Sequence, residues 1–495
     1  MAEKIDSLPE VFLSDRAMSS AISRMVKGGA ARKLGPRLYT RNMTDAPAAI
    51  VARNLWPIVA MLMPGGVVSH RTALENRAAP DGSAFLSAEY PRQIRLPGVI
   101  LRQLKGMGPA PGDTPYMGTL HLASRARAFL ENLLPSRGRG AVAKTVGREE
   151  VERRLAGMLR VGGEQALNRL RDDARKIAPE LGLEIQFRTL DGLIGALLRS
   201  RPASLTAPAA RAYAAGEPFD PVRLPIFEAL FAALREATWP ERPDRAAEPP
   251  AFYNAAFFDA YFSNYIEGTD FPVEQAIRIV FEHEIPADRP ADAHDVLGTY
   301  RLVASREEMR RLPRDFEDFV GLLRRRHATI MESRPDRLPG EFKREPNQAG
   351  ATLFVAPDLV SGTLRQGFGM YQALADPFAR ALFMMFLVAE VHPFTDGNGR
   401  MARVMMNAEL VATGQTRIFI PSVYRGEYLG SLRHLTNHGD AAAYLRVMEY
   451  AQLFVDCTDF SDLDAARRFL EAHNAFRDPA DDVKLRMPEE GGAEA

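Results

Sequence analysis

Hydrophobic positions recur at helical spacing through most of the second half of the chain and only in short runs through the first. From residue 251 on, three stretches read as helices: PAFYNAAFFDAYFSNYIEG, ADAHDVLGTYRLVASREE and PRDFEDFVGLLRRRHATIM. The period then breaks at RLPGEFKREPNQAGATLFVAP, where apolar and β-branched residues flank a Pro-Asn-Gln-Ala-Gly turn, which is a hairpin signal. DPFARALFMMFLVAEV follows, with Asp376 placed as an N-cap and Pro377 in the first turn. It is apolar nearly all round, so it is expected to be a buried central helix. RMARVMMNAELVATG then starts another helix that Gly414 ends.

The first half is more broken. From Ser14 to about Leu134 short helical pieces alternate with Gly- and Pro-punctuated turns. SDRAMSSAISRMVKGGAARKLGPRLYTRN reads as two amphipathic pieces separated by KGGA and followed by a strand-like RLYT, the order of a helix-turn-helix with a small β-wing. ARNLWPIVAMLMPGGVVSHRTALENR reads as an apolar helix, a Pro64-Gly65-Gly66 turn and a polar SHRTALE. Glu149 to Ser200 is charge-rich and helical in pattern. Two Pro/Ala-rich stretches then flank the helical LPIFEALFAALREA, which places the main boundary within Ala203 to Pro250.

Length changes this picture by requiring two or three domains for 495 residues. With 25% charged and 46% hydrophobic residues the chain has the balance of a globular protein. Lys plus Arg, 63, equals Asp plus Glu, 63, so any attraction to polyanions must be local. One such place exists near the start, where Arg16, Arg24, Lys27, Arg32, Lys33, Arg37, Arg41 and Arg53 face only Asp15 and Asp45. That makes a basic face for DNA contact. The single Cys457 rules out an internal disulfide and a Cys-based zinc site and fits a reducing compartment; it is read as a small buried apolar residue. The beginning MAEKIDSLPEVF lacks a basic stretch followed by an apolar run, and no segment reaches the ~18 apolar residues of a membrane span, so the expected location is the cytoplasm.

Chemistry concentrates in EVHPFTDGNGRMAR, Glu390 to Arg403. Pro393 halts the central helix and leaves His392 at its edge. The two Gly of TDGNGR are free to take left-handed conformations and feed the next helix, whose N–H groups and positive dipole end then converge on one point. That point wants an anion, most naturally a phosphate. Arg400 and Arg403, three apart on the helix, suit a di- or triphosphate. Asp396 in the same turn would repel phosphate unless a cation lay between, so it reads as a magnesium ligand. His392 remains to take a proton from an attacking hydroxyl. The set assembles a phosphoryl or nucleotidyl transfer site.

HPFTDGNGRMAR resembles, at every defined position, the signature of Fic-domain proteins. The resemblance covers roughly the final half of the chain and implies AMPylation, the transfer of AMP from ATP to a Ser, Thr or Tyr hydroxyl of a target protein. It implies His392 as general base, Asp396 as magnesium ligand, Gly397, Asn398 and Gly399 as the anion nest, Arg400 and Arg403 as phosphate ligands, and Phe394 as a core anchor. An Arg at position 400 separates the motif from the Doc-like kinase branch, where Lys is typical. The insert Glu341 to Pro357 corresponds to the family's flap, on which a target segment docks by adding a strand. SNYIEGT, with Ser263, Glu267 and Gly268, fits the family's inhibitory pattern, in which Glu267 would pair with Arg403 and deprive the γ-phosphate of its partner. Tyr424 and Tyr428 in SVYRGEYLGSLRHLTNHGD are candidates to hold adenine. The first third of the chain is similar to the N-terminal region of AbiEi-type winged-helix regulators, through PGGVVSHRTALE.

The fold implied is mainly α: a C-terminal Fic helical bundle with a β-hairpin flap, preceded by an α+β winged-helix-like domain. Its parts are expected at 1–140, with a helical extension at 141–202, a connecting region at 203–250, the Fic domain at 251–478 and a flexible tail at 479–495. Two alternatives stay open: a DNA-binding or toxin–antitoxin-type regulator whose Fic half only senses nucleotide, and a de-AMPylase in which Glu267 positions water.

Overall fold

A computed structural model describes residues 8–136, 143–350 and 352–488. The chain forms two compact units, Met1–Gly216 and Glu217–Ala495.

In the first unit, Val11–Leu13, Leu38–Thr40 and Arg32–Gly35 make an antiparallel sheet in that order. The expected helix-turn-helix is not formed. Only Ser19–Lys27 is helical, and Gly28 and Gly29, the latter at φ 73°, end it. The second amphipathic piece becomes a strand whose Leu34 reaches the core beside Leu38, Ile50 and Ile58. The strand-like RLYT is a strand, and its partner is that second piece, Arg32–Gly35 pairing with Leu38–Thr40. The apolar stretch beyond splits into Pro47–Arg53 and Leu55–Leu62, followed by a strand Val67–Val68 and a helix His70–Glu75.

A mixed six-stranded sheet follows, in the order Arg92–Leu96, Val99–Lys105, Ser83–Ala88, Val67–Val68, Leu120–Leu122, Thr114–Met117. Arg148–Leu181 and Glu184–Leu197 share one core with Phe129 and Leu130 of the preceding helix, so the helical extension is part of this unit. The region 203–250 is not one connector. Pro208–Ala215 packs in the first unit, whereas Leu224–Glu236 packs in the second. Of the eight cations near the start, Arg32 donates to the Met43 and Asp45 carbonyls, Arg37 to the Ser14 carbonyl, and Arg53 pairs with Glu10 and Asp45. Arg16, Arg24, Lys27 and Lys33 are exposed.

Among the described residues the second unit is built on ten longer helices, α1 (Leu224–Glu236), α2 (Ala251–Ile266), α3 (Pro290–Val303), α4 (Phe316–Ile330), α5 (Val360–Gln372), α6 (Pro377–Val391), α7 (Asn398–Ala412), α8 (Arg425–His438), α9 (Ala442–Asp456) and α10 (Leu463–Ala472). A hairpin of β1 (Gln348–Ala349) and β2 (Thr352–Leu353) lies between α4 and α5; residue 351 at its tip is outside the described residues. Asp376 caps α6 by accepting from the Ala379 N–H at 2.8 Å, with Pro377 at its first position. α6 is buried almost throughout, as its apolar surround requires, and packs on α1, α5 and α7. α7 is held in turn by α2, α3 and α4. Phe227 of α1 meets Phe383 and Phe386 of α6 edge-on, and Phe262 of α2 stacks on Phe419 and Phe476.

Residues 479–488 are docked and not a loose tail. Leu485 is buried, the Arg486 N–H donates to the His473 carbonyl at 3.1 Å, and Asn474 donates to the Lys484 carbonyl at 2.9 Å. The rest of the expected tail, 489–495, is outside the described residues. Cys457 is exposed at the end of α9, contrary to the buried apolar reading, because the helix's apolar face has ended at Val455. Among the described residues no helix is long and apolar enough to cross a membrane.

Phe386 is 1% exposed between α1 and α9. Phe386→Ala is expected to destabilise the second unit by about 3–5 kcal/mol, read as a lowered midpoint for that unit in a denaturant titration.

Candidate functional site

α6 ends at a residue that cannot continue it. His392 takes a left-handed conformation, φ 52°, ahead of Pro393. The Ala389 carbonyl can only accept, so Nδ1 of His392 carries the proton and donates to it at 3.1 Å, leaving Nε2 bare. The flap's Phe354 lies flat on the ring, centroids 3.7 Å apart and 5° from parallel. Burial, helped by the Lys343 cation, pulls the His392 imidazole down to about 4 against the opposing bond to Ala389. A neutral imidazole with a free lone pair is the state a general base needs.

The turn after it is held by its own residues. Asn398 accepts from the Phe394 N–H and donates to the Phe394 carbonyl, both at 2.8 Å. Its side chain is thus a staple within the loop and does not face an anion; only its backbone belongs to the helix start. Phe394 is fully buried, as the anchor reading requires. Gly397 is left-handed at φ 73°, but Gly399 is not, because it already lies in the first turn of α7. Glycine is needed at 399 for space. A Cβ there would collide with Oε1 of Glu267, so that carboxylate lies at the N-terminus of α7, where the helix dipole favours an anion.

Glu267 comes from the end of α2, where Gly268, at φ 91°, turns the chain away. Its Oε1 accepts from Nη2 of Arg403 at 2.7 Å. Ser263 completes the cage: its Oγ accepts from Nε at 2.9 Å and its carbonyl from Nη2 at 2.8 Å. The pair is unequal in exposure, 2% for the Arg403 side chain and 28% for Glu267, so the carboxylate is the member that can leave.

Arg400 behaves differently from expectation. Its Nη1 pairs with Asp295 of α3 at 2.9 Å, both side chains nearly fully buried, and Asp295 also takes Arg334 at 2.8 Å. Here Arg400 ties α7 to α3 and presents no open face to a phosphate, because with Arg334 it is committed to a buried carboxylate. Tyr428 is likewise not an open platform for adenine. It is buried to 1%, its hydroxyl between Arg403 at 3.5 Å and the Met385 sulfur. Tyr424 is partly buried and packs on Tyr450 with centroids 5.3 Å apart.

The Asp396 side chain is 42% exposed, and its Oδ1 accepts from the Gly397 N–H at 2.6 Å. Among the described residues no group of three or more His, Cys, Asp or Glu is placed to hold a metal. One exposed carboxylate beside an anion seat fits magnesium, which is commonly bound by one or two carboxylates with substrate phosphates and water.

The flap Glu341 to Pro357 is stitched to this loop. The Lys343 N–H donates to the Pro393 carbonyl at 2.9 Å, its Nζ to Asn347 at 2.6 Å, and Asn347 to the Phe394 carbonyl at 2.9 Å. Burial, with Arg223 in support, pushes the Lys343 ammonium down to about 7. Arg223, just ahead of α1, pairs with Glu390 at 2.8 Å and donates to the Leu353 carbonyl of β2. Sequence reasoning missed Phe354, Lys343, Arg223, Asp295 and His327; only the Phe in the flap carried a signal, as an aromatic facing the motif.

The second unit is therefore a helical domain in which a bare imidazole stands beside a loop-and-helix anion seat already filled by a carboxylate of the same chain. Residues 320–410 match the Fic/DOC family model, and the chain carries a Fic/DOC domain there. It is 41% identical over 71 residues to protein adenylyltransferase fic-1 of Caenorhabditis elegans, covering 14% of each chain. It is 27% identical over 251 residues to protein adenylyltransferase Fic of Drosophila willistoni, covering 48% of this chain and 47% of that one. The match thus spans less than half the length of either relative. A Fic domain containing signaling protein from Bacteroides thetaiotaomicron is similar over 49% of this chain and 97% of its own, at 19% identity and a TM-score of 0.38.

The His392 imidazole is expected to titrate with a midpoint near 4 and to stay unprotonated at Nε2 above it. Nitrogen chemical shifts of labelled histidine check this, and a midpoint at the ordinary value of about 6.5 would contradict it.

Proposed function

We propose that this protein is an adenylyltransferase that moves AMP from ATP to a Ser, Thr or Tyr hydroxyl of a target protein and is held off in cis by Glu267. The observation that carries the reading is the Glu267 carboxylate, 2.7 Å from Arg403 and lying over Gly399 at the start of α7. A helix N-terminus with an adjacent guanidinium is a phosphate seat, and the chain has put its own anion there.

In the reaction, Nε2 of His392 takes the proton of the target hydroxyl while that oxygen attacks the α-phosphate. The bond from the α-phosphorus to the bridging oxygen breaks, and pyrophosphate leaves. The N–H groups at the head of α7 and the Arg403 guanidinium take charge on the phosphates once Glu267 has withdrawn. Asp396 would hold magnesium, which when bound offsets phosphate charge. Arg400 acts indirectly, by fixing α7 through Asp295. Phe354 keeps the His392 ring in plane, and the flap offers a docking edge for an extended target segment.

Replacing Glu267 by Gly leaves Arg403 with Ser263 and the Tyr428 hydroxyl as partners and clears the seat. A charge-assisted bond of about 2 kcal/mol corresponds to roughly ten- to hundred-fold, so Glu267→Gly is expected to raise ATP-dependent labelling of the protein itself or of a lysate by that factor. Adding His392→Ala should return labelling to background. If Glu267→Gly with ATP and magnesium labels nothing, the AMP-transfer assignment fails, and a panel of GTP, UTP and CTP shows whether another nucleotide is used.

For the first unit the reading extends to DNA contact through Arg16, Arg24, Lys27 and Lys33. Four phosphate contacts predict a salt slope of about −3.6 in log–log binding. Retention on DNA that is insensitive to salt would count against it.

A further inference from the structure

We propose that His327, on α4 and outside every motif of the site, is a positioning residue that locks the flap and the Asp396 loop into one register. Its ring lies between the two. Nδ1 accepts the Gly340 N–H at 2.9 Å, where the chain enters the flap, and Nε2 bonds the Asp396 carbonyl at 3.0 Å. An N–H can only donate and a carbonyl can only accept, so both bonds are satisfied by a single neutral tautomer with its proton on Nε2. The ring also lies flat on Phe394, with centroids 3.7 Å apart and planes 2° from parallel. His327 is 0% exposed, so neither bond is open to replacement by water.

The placement matters because each end of the contact controls a reacting group. Gly397, the residue after Asp396, is left-handed, and a Cβ on it would run into the Met331 sulfur and come within 3.5 Å of Nε2 of His327. The Asp396 backbone therefore has one position, and its carboxylate follows. At the other end, Gly340 begins the segment that carries Lys343, Asn347 and Phe354 onto the motif. A shift of Gly340 would tilt Phe354 on His392. Lys343 and Asn347 tie flap to loop directly, but His327 refers both to a third, rigid element. Loss of the ring nitrogens would leave the Gly340 N–H without an acceptor and the Asp396 carbonyl without its donor.

The kinetic arm of the test rests on the transferase reading; the other two arms do not. In the full-length Glu267→Gly protein, His327→Phe keeps an aromatic ring against Phe394 and removes both hydrogen bonds, while His327→Gln restores a donor near the Nε2 position. Loss of register is expected to lower kcat by about tenfold or more with KM for ATP changed less than about threefold, and His327→Gln should recover part of it. Hydrogen exchange across 341–349 should rise in His327→Phe. Nitrogen shifts of the parent near neutral pH should show His327 protonated on Nε2 alone. The proposal is overturned by the opposite tautomer. It is equally overturned by unchanged flap exchange in both variants, or by a kcat that only tracks the folded fraction. A parent that labels nothing would sink the transferase reading, and tautomer and exchange would still decide the role of His327. Should His327→Phe fail to fold, the exchange and kinetic comparisons are made on His327→Gln, where a kcat and flap exchange both equal to the parent's overturn the proposal, as does the opposite His327 tautomer in the parent.

Discussion

Two helices buried on nearly all sides, α6 and α7, are joined by a turn at 392–397, and a buried turn must pair its own backbone polar groups. Asn398 solves half of that by bracketing Phe394 from both sides, and His327 and Lys343 take the Asp396 and Pro393 carbonyls from outside. With those groups committed, the N–H groups at the start of α7 are the ones left facing outward, next to a left-handed His392. The anion seat is the remainder after the rest of the loop has been satisfied.

Charge is distributed around α7 by the same economy of place. Two guanidiniums one helical turn apart each meet a carboxylate, yet the environments differ. Asp295 is 2% exposed and shared with Arg334, so Arg400 is fastened; Glu267 is 28% exposed and stands at the end of its helix, so Arg403 has a partner that water or a phosphate can replace. Identical residue types three positions apart thus divide into a structural tie and a lockable contact, on accessibility alone.

The helices α2, α4, α6 and α7, and the Asp376 cap, were legible because a 3.6 period over a long apolar stretch admits few alternatives. α3 was read too long: Ser305 accepts from the Glu308 N–H and starts a new short helix at Arg306–Met309, a local capping choice that a periodic pattern does not register. The six-stranded sheet was illegible, since strands such as Val67–Val68 and Leu120–Leu122 are shorter than any periodicity test and are paired by distant residues. At the site, the motif, Glu267, Ser263 and Gly268 were readable as patterns. His327 was not. At helical spacing from Leu323 and Ile330 it occupies a core position like any apolar neighbour, and only the fold shows what its two nitrogens touch. The partners of Arg400 and Tyr428 are illegible for the complementary reason, that a chemically suitable group can be engaged by a residue far away in the chain.

Arg223 has a bearing on self-association. Gln348 pairs with Leu353, and the Phe354 N–H reaches the Asn347 carbonyl, so residues 348 and 353 point their backbone groups away from each other toward the two outer sides of the hairpin. Outward-facing strand edges are templates for stray pairing between copies. On the β2 side the Leu353 carbonyl is already occupied by a guanidinium anchored on Glu390, which blunts that edge with a charge. Among the described residues no cation is hydrogen-bonded to Gln348 on the other side, so the hairpin presents one blunted edge and one open one.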